Sequence, residues 1–179
     1  MSYFRLLLFL LFIYLLACTT ESPESKSIKE TLGKELKLDM FKTVLYKNDS
    51  VSLNTIAKKY NYCYVVYLLD DCSTCYEKYI QWHKKMNKIG ISENFTILFI
   101  ISGKYVDDFL SEVNDIEPID NSYFIVMDPN YYYTDGNSHV PQWILEQSIL
   151  IDNNNKIRMV GSPFKNSESL KLFRDLVQK

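Results

Sequence analysis

The stretch that most constrains this chain is residues 62–89, YCYVVYLLDDCSTCYEKYIQWHKKMNKI. Residues 63–69 form an unbroken apolar run, rich in β-branched and aromatic side chains, which predicts a buried strand. The run stops at Asp70-Asp71, then Cys72-Ser73-Thr74-Cys75 follows, and a helical pattern begins at once. Cys75, Tyr79, Trp82, Met86 and Ile89 recur at four-three-four-three spacing, one face of a helix. Gly90 suits the left-handed position that closes such a helix.

A Cys-x-x-Cys pair where a strand hands over to a helix has chemical consequences. The first sulfur lies at the helix N-terminus, where unpaired N–H groups and the positive end of the dipole favour thiolate over thiol. Thiolate is the nucleophile of disulfide exchange. The second sulfur lies on the apolar stripe and faces the core. This assigns Cys72 as the attacking thiol and Cys75 as the resolving one. The competing readings are a static disulfide, two idle thiols, or half of a zinc site.

Length and composition narrow the classes. At 179 residues the chain holds one domain with a tail or two, long enough to bury a core without disulfide staples. Apolar residues make up 47%, so disorder is not the expectation. The formal charge of -2 gives no reason to expect nucleic acid as a partner. Four cysteines are too few for a disulfide scaffold and point to individual roles. Five glycines, scattered singly, form no phosphate-cradling loop, and no Ser-His-Asp order or pair of catalytic acids stands out.

The N-terminus reads MSYFRLLLFLLFIYLLACTT. Its apolar run, 6–17, is short for a permanent bilayer span and suits a signal peptide. The ending Leu15-Leu16-Ala17-Cys18 resembles the bacterial lipobox, which implies cleavage before Cys18 and a lipid on its sulfur. A plain signal peptide or an uncleaved anchor are the alternatives. We therefore read 1–17 as signal peptide, 18–31 as a lipid-anchored flexible tether and 32–179 as the domain. The implied location is a bacterial cell envelope, with the domain in the periplasm or at the cell surface.

Within the domain, 32–51 suggests one or two short strands, with Asn48-Asp49 as a turn, and 52–60 a short helix. Residues 95–101, FTILFII, predict a parallel strand buried on both faces. A helix is expected around 106–113 and a third strand at 123–127. The segment 130–142, with three consecutive tyrosines, is read as a loop that either packs over the sheet edge or walls the dithiol. SILI at 148–151 and KIRMV at 156–160 form a hairpin across the Asp152–Asn155 turn, and Asn166 or Ser167 caps a last helix.

From Cys63 the order is strand, Cys-x-x-Cys, helix, strand, helix, strand, loop, hairpin, helix. With VVYLLDDCSTC, SILIDNNNKIRMVGSP and the lipobox, this resembles the thioredoxin fold, in particular its membrane-tethered TlpA-like lipoproteins. The resemblance covers roughly 32–179. It implies an α/β domain with a central mixed sheet flanked by helices. It also implies thiol–disulfide exchange through Cys72 and Cys75, with a protein substrate or redox partner and no cofactor. Two positions depart from the family. Glu146-Gln147 stand where a cis-proline is usual, so an ordinary trans peptide is expected there. Asp71 precedes the pair where an aromatic residue is common.

Asp70 and Asp71 read as solvated turn formers, with a proton shuttle to Cys75 as the sharper alternative. Cys63 reads as an inert core thiol. His83 reads as a solvated helix residue. His139 is the one metal candidate, completing a copper or zinc site with the two thiols as in copper-delivery relatives of the fold. Three functions thus stand in order: a lipid-anchored oxidoreductase, a non-enzymatic binding module that keeps the fold, and a metal-handling protein.

Overall fold

The computed structural model describes residues 21–47, 49–89, 94–119 and 122–178. The signal peptide, the lipobox with Cys18, Asn48 and Gly90 lie outside the described residues. The chain divides into two units, Met1–Glu30 and Thr31–Lys179.

Much of the stretch expected to be a flexible tether is helical: α1 spans Pro23–Thr31 and ends at the first residue of the second unit. Local chemistry accounts for this. Ser22 Oγ accepts the Ser25 N–H at 3.1 Å, Pro23 fits the first helical position, and Glu24 lies in the first turn. Lys26 and Glu30 pair one turn apart at 3.9 Å.

The second unit is built on a seven-stranded sheet in the order β2-β1-β5-β4-β3-β6-β7. Strands β3 (Tyr62–Leu69), β4 (Phe95–Ser102) and β5 (Phe124–Asp128) run parallel at its centre. On one side β6 (Ser148–Asp152) and β7 (Ile157–Val160) add antiparallel as a hairpin. On the other side β1 (Thr43–Tyr46) joins β5, and β2 (Asp49–Ser52) closes the edge. The two long apolar runs are buried strands, β4 at every position and β3 at all but its two ends, as expected for a parallel centre covered on both faces.

Helices cover the sheet: α2 (Asn54–Lys59), α3 (Ser73–Ile89), α4 (Val106–Ile116) and α7 (Ser167–Val177). The stripe on α3 is real, since Tyr79, Trp82 and Met86 are buried and Cys75 and Ile89 pack against the same core. Asn166 caps α7 by accepting the Ser169 N–H at 2.8 Å.

Three local readings need correction. Leu36 and Leu38 are buried but belong to no strand; Glu35 makes only an isolated bridge to Lys156. The tyrosine-rich segment contains two short helices, α5 (Tyr132–Gly136) and α6 (Gln142–Leu145). The buried Asp128 carboxylate at the end of β5 starts the first of them, accepting the N–H groups of Tyr132 and Tyr133 at 2.9 and 3.0 Å. His83 is 3% exposed, not solvated. Its ring lies against those of Tyr79, Phe99 and Tyr123, at 4.6, 5.4 and 4.8 Å between centroids.

Candidate functional site: the dithiol at the carboxyl edge of the sheet

The carboxyl ends of β3, β4 and β5 lie along one edge of the sheet, and the dithiol is at this edge. Chain geometry puts it there. After Leu69 the chain leaves β3, and α3 begins at Ser73. Cys72 is the residue just before the helix, and its carbonyl accepts the N–H groups of Cys75 and Tyr76 at 2.8 and 3.3 Å. Its sulfur therefore sits where the first helical N–H groups are unpaired.

The two sulfurs differ in surroundings. Both are half-buried and reduced, and they hydrogen-bond to each other. Partial burial raises the Cys72 pKa, but hydrogen bonds from the Cys75 thiol and from Thr74, whose Oγ1 is 3.1 Å away, outweigh it. The net result lies below the ordinary thiol value. Cys75 sits deeper. Burial first, and then the neighbouring Cys72, push its thiol up to about 11, although the Leu69 N–H and Lys78 pull the other way. The poised thiol is thus the outer one.

Strand register explains what holds Cys75. The ladder between β3 and β6 ends where Val66 faces Ser148. Beyond that point the β6 side of β3 is uncovered, and α3 supplies the missing partners. The Leu69 N–H donates to Cys75 Sγ at 3.4 Å, and Lys78 Nζ donates to the Tyr67 carbonyl at 3.1 Å. Lys78 was not singled out from the sequence. Its place one turn after Cys75, on the same face, was the available signal.

A cleft of about 530 Å³ opens beside Cys75, with Tyr67, Lys78, Tyr131, Gln142 and Glu146 in its walls. A smaller one of about 330 Å³ is lined by Thr74, Lys78 and Gln147. The tyrosines divide their work. Tyr133 is fully buried and stacks on Tyr67 at 5.4 Å, while Tyr131 is 44% exposed and faces the cleft. Both readings of that segment therefore hold, each for a different ring. Glu146 lines the cleft beside Cys75 and Gln147 the second cleft beside Thr74, and no peptide bond among the described residues is cis.

Asp71 is exposed as expected, but Asp70 is 5% exposed and not a solvated turn former. Its carboxylate accepts the Tyr105 N–H and lies against Gly103, so it ties the turn after β3 to the turn after β4. Gly103 has φ +145, and an added Cβ would overlap the Asp70 carboxylate. The Tyr76 hydroxyl donates to the Asp70 carbonyl at 2.5 Å, closing the same turn.

Cys63 lies at the opposite end of β3, buried, its thiol pushed far up by burial. His139 is exposed, and its Nε2 lies 2.8 Å from the Glu35 carbonyl. Among the described residues no three His, Cys, Asp or Glu side chains converge to hold a metal ion. The structure therefore does not bring His139 together with the two thiols.

No family model matches the chain. No curated protein gives a significant sequence match. Solved structures do match in shape. The thioredoxin domain of a thiol-disulfide oxidoreductase from Bacteroides vulgatus superposes with a TM-score of 0.54 at 18% identity, covering 82% of this chain and 97% of that one. A DsbF homologue from Corynebacterium diphtheriae gives 0.54 at 16% identity, over 87% and 97%. A thioredoxin-like protein from Bacteroides caccae gives 0.54 at 12%, over 84% of this chain and 52% of that one. The fold is thioredoxin-like: a central mixed sheet flanked by helices, with the dithiol where a strand meets a helix.

Proposed function

We propose that this protein is a lipid-anchored thiol–disulfide oxidoreductase of a bacterial cell envelope. One observation supports the activity above all others. Cys72 precedes α3 with its thiol held below the ordinary value, and Cys75 stands behind it, deeper and more basic. That is the asymmetry needed by a nucleophile and its resolver. The Cys72 thiolate attacks a substrate disulfide, forming a mixed disulfide and releasing one substrate thiolate. Cys75 then loses its proton to water and attacks Cys72. The internal disulfide forms and the second substrate thiolate leaves, taking up a proton. The substrate gains two electrons and the dithiol loses two. The reverse sequence oxidises a substrate dithiol. A partner dithiol or disulfide protein resets the pair.

The anchor rests on the Leu-Leu-Ala-Cys18 ending of the apolar N-terminal run, which supports a lipid on Cys18 and a domain in the periplasm or at the cell surface. Mass spectrometry of the membrane fraction tests it. A mature chain starting at lipidated Cys18 is expected, and an unmodified Cys18 overturns the anchor.

Insulin reduction and a redox titration of the dithiol test the activity. Catalysed reduction is expected, with a potential between about -120 and -300 mV. No catalysis, with a potential well below about -300 mV, marks an inert bridge. The second reading, a binding module that keeps the fold, is favoured by one observation: Gln147, not proline, precedes β6 in a trans peptide. A dithiol that neither exchanges nor traps partners decides for it.

A further inference from the structure

Lys78 is a cation set beside the resolving thiol. It projects from α3 one turn after Cys75, and both side chains border the same cleft. Its reach is fixed. The ammonium donates to the Tyr67 carbonyl, and the Cys75 sulfur accepts from the Leu69 N–H two residues further along β3. Because β6 begins only opposite Val66, these two backbone groups have no strand partner there, and α3 fills both positions. The unpaired strand edge thus holds a thiol and an ammonium on the same wall of the cleft, both half-buried.

We infer that Lys78 is the positioning residue of the resolving step: its ammonium stabilises the Cys75 thiolate when that sulfur attacks the mixed disulfide and when it leaves an attacked internal disulfide. The inference rests on the exchange function proposed above. Cys72 does not need this help, because its thiolate is supported by Thr74, Cys75 and the helix N-terminus. Cys75 does, because burial and the adjacent Cys72 work against its ionisation, and Lys78 is the cation that opposes them. The reciprocal effect is present on Lys78, where burial lowers the ammonium pKa and the two thiols raise it. Other ionisable groups facing this spot are Tyr67, Asp71, Tyr131 and Glu146 in the cleft, with Asp70 and Tyr76 behind the turn. Asp71 and Glu146, when ionised, also disfavour a thiolate, which makes the single ammonium the deciding charge.

The step balances without an added reagent. The Cys75 S–H bond breaks and its proton goes to water. The Cys75–Cys72 bond forms as the Cys72–substrate bond breaks, and the departing substrate thiolate takes up a proton. Lys78 keeps its own proton throughout.

The test compares wild type with Lys78→Met and Lys78→Arg, using a synthetic peptide disulfide with a chromophoric leaving thiol. The first leaving thiol reports attack by Cys72, and decay of the mixed disulfide reports resolution by Cys75. Loss of an opposite charge within about 4–6 Å raises a thiol pKa by roughly one unit or more. That cuts the thiolate fraction about tenfold, and the gain in intrinsic nucleophilicity recovers about threefold. Lys78→Met should therefore slow resolution about threefold to tenfold, leave attack by Cys72 within about twofold, and lengthen the life of the mixed disulfide. Lys78→Arg should restore the rate. A direct titration of Cys75 in the Cys72→Ser background, by the ultraviolet absorbance of the thiolate, should show an upward shift on Lys78→Met and recovery with arginine. Resolution at the wild-type rate together with an unmoved Cys75 titration overturns the role of Lys78. Failure of wild type itself to release the first thiol overturns the exchange function instead. The absorbance titration needs no turnover, so it answers for Lys78 in either case.

Discussion

Strand β3 has a cysteine at each end, Cys63 in the strand itself and Cys75 reaching back from α3, and the two ends treat sulfur in opposite ways. Near its amino end Cys63 is 5% exposed among apolar neighbours, and its thiol sits 3.8 Å from the Tyr64 carbonyl, a group that disfavours a thiolate. At the carboxyl end Cys75 is also partly buried, yet it receives the Leu69 N–H and stands near Lys78. Burial raises both pKa values, but only Cys75 is brought back to about 11. Burial alone does not make a thiol inert. Each sulfur has one backbone N–H lowering its pKa, Leu98 for Cys63 and Leu69 for Cys75, so what separates them is depth of burial and the positive charge of Lys78, which a ladder that stops short lets in.

The largest effect should come from the dithiol end. Cys72→Ser should abolish exchange and form no mixed disulfides, because the remaining thiol is deeper and more basic. Cys75→Ser should leave attack intact and accumulate trapped partners on non-reducing gels. Equal trapping by both variants would contradict the roles. The same treatment of Cys63 should change nothing in exchange.

Alkylation of the reduced protein separates all three thiols in one experiment. Cys72 should react with a midpoint below the ordinary thiol value of 9.0, and Cys75 with one near 11. Cys63 should stay unmodified until the protein unfolds. Labelling followed by mass spectrometry over a pH series reads each site, and early reaction of Cys63 would end the contrast.

Stability comes next in size. Asp128→Ala removes a buried carboxylate that accepts from Ser102, Tyr132 and Tyr133 at 3.1, 2.9 and 3.0 Å. Denaturant unfolding should show a loss of about 2–4 kcal/mol. Cys63→Ala removes only a small buried group and should cost about 1 kcal/mol, with exchange unchanged.

Much of this was legible in the sequence, for a physical reason. The strands β3 and β4 are covered on both faces, so each is an unbroken apolar run that few other structures accommodate. The stripe on α3 follows the helical period, so the depth of Cys75 relative to Cys72 followed from spacing. What escaped depends on contacts distant in sequence. Asp70 is buried because Gly103 and Tyr105 come to meet it, and nothing local announces that. His83 was misread by chemistry alone. Its position, four residues after Tyr79 and three before Met86, already placed it beside the buried face. The first of the two short helices after β5 depends on Asp128 as an acceptor, a cap hidden at the end of a strand. The helix of α1 was masked by polar composition, although Ser22 and Pro23 form a normal start.

The smallest effect tests the amino end. There Asp152, opposite Tyr62, accepts two N–H bonds from Arg158 at 2.8 and 2.6 Å and the Lys156 N–H at 2.9 Å. Some burial raises its pKa, but these donors prevail and the carboxyl titrates below its ordinary value of 3.8. A depressed carboxylate contributes stability that is present above the unfolded value and lost as pH falls through the folded one. Arg158→Met should cost about 0.5–1 kcal/mol at neutral pH. The variant should also lose less stability than wild type on acidification below about pH 4, measured by thermal unfolding. Exchange should not respond at all.

The strand order has a consequence for how the molecule is made. Leu45 of β1 pairs with Ile125 of β5, so the first hairpin of the domain has no sheet to join until the chain is synthesised as far as β5. The parallel centre must likewise wait for β4 to return beside β3, and β3 gains its other neighbour only when β6 emerges. The pairings of β1 with β5 and of β3 with β6 are thus among the most distant in sequence. Contacts so distant in sequence close slowly. Until they do, the apolar runs of β3 and β4 and their bare edges stay open to other chains.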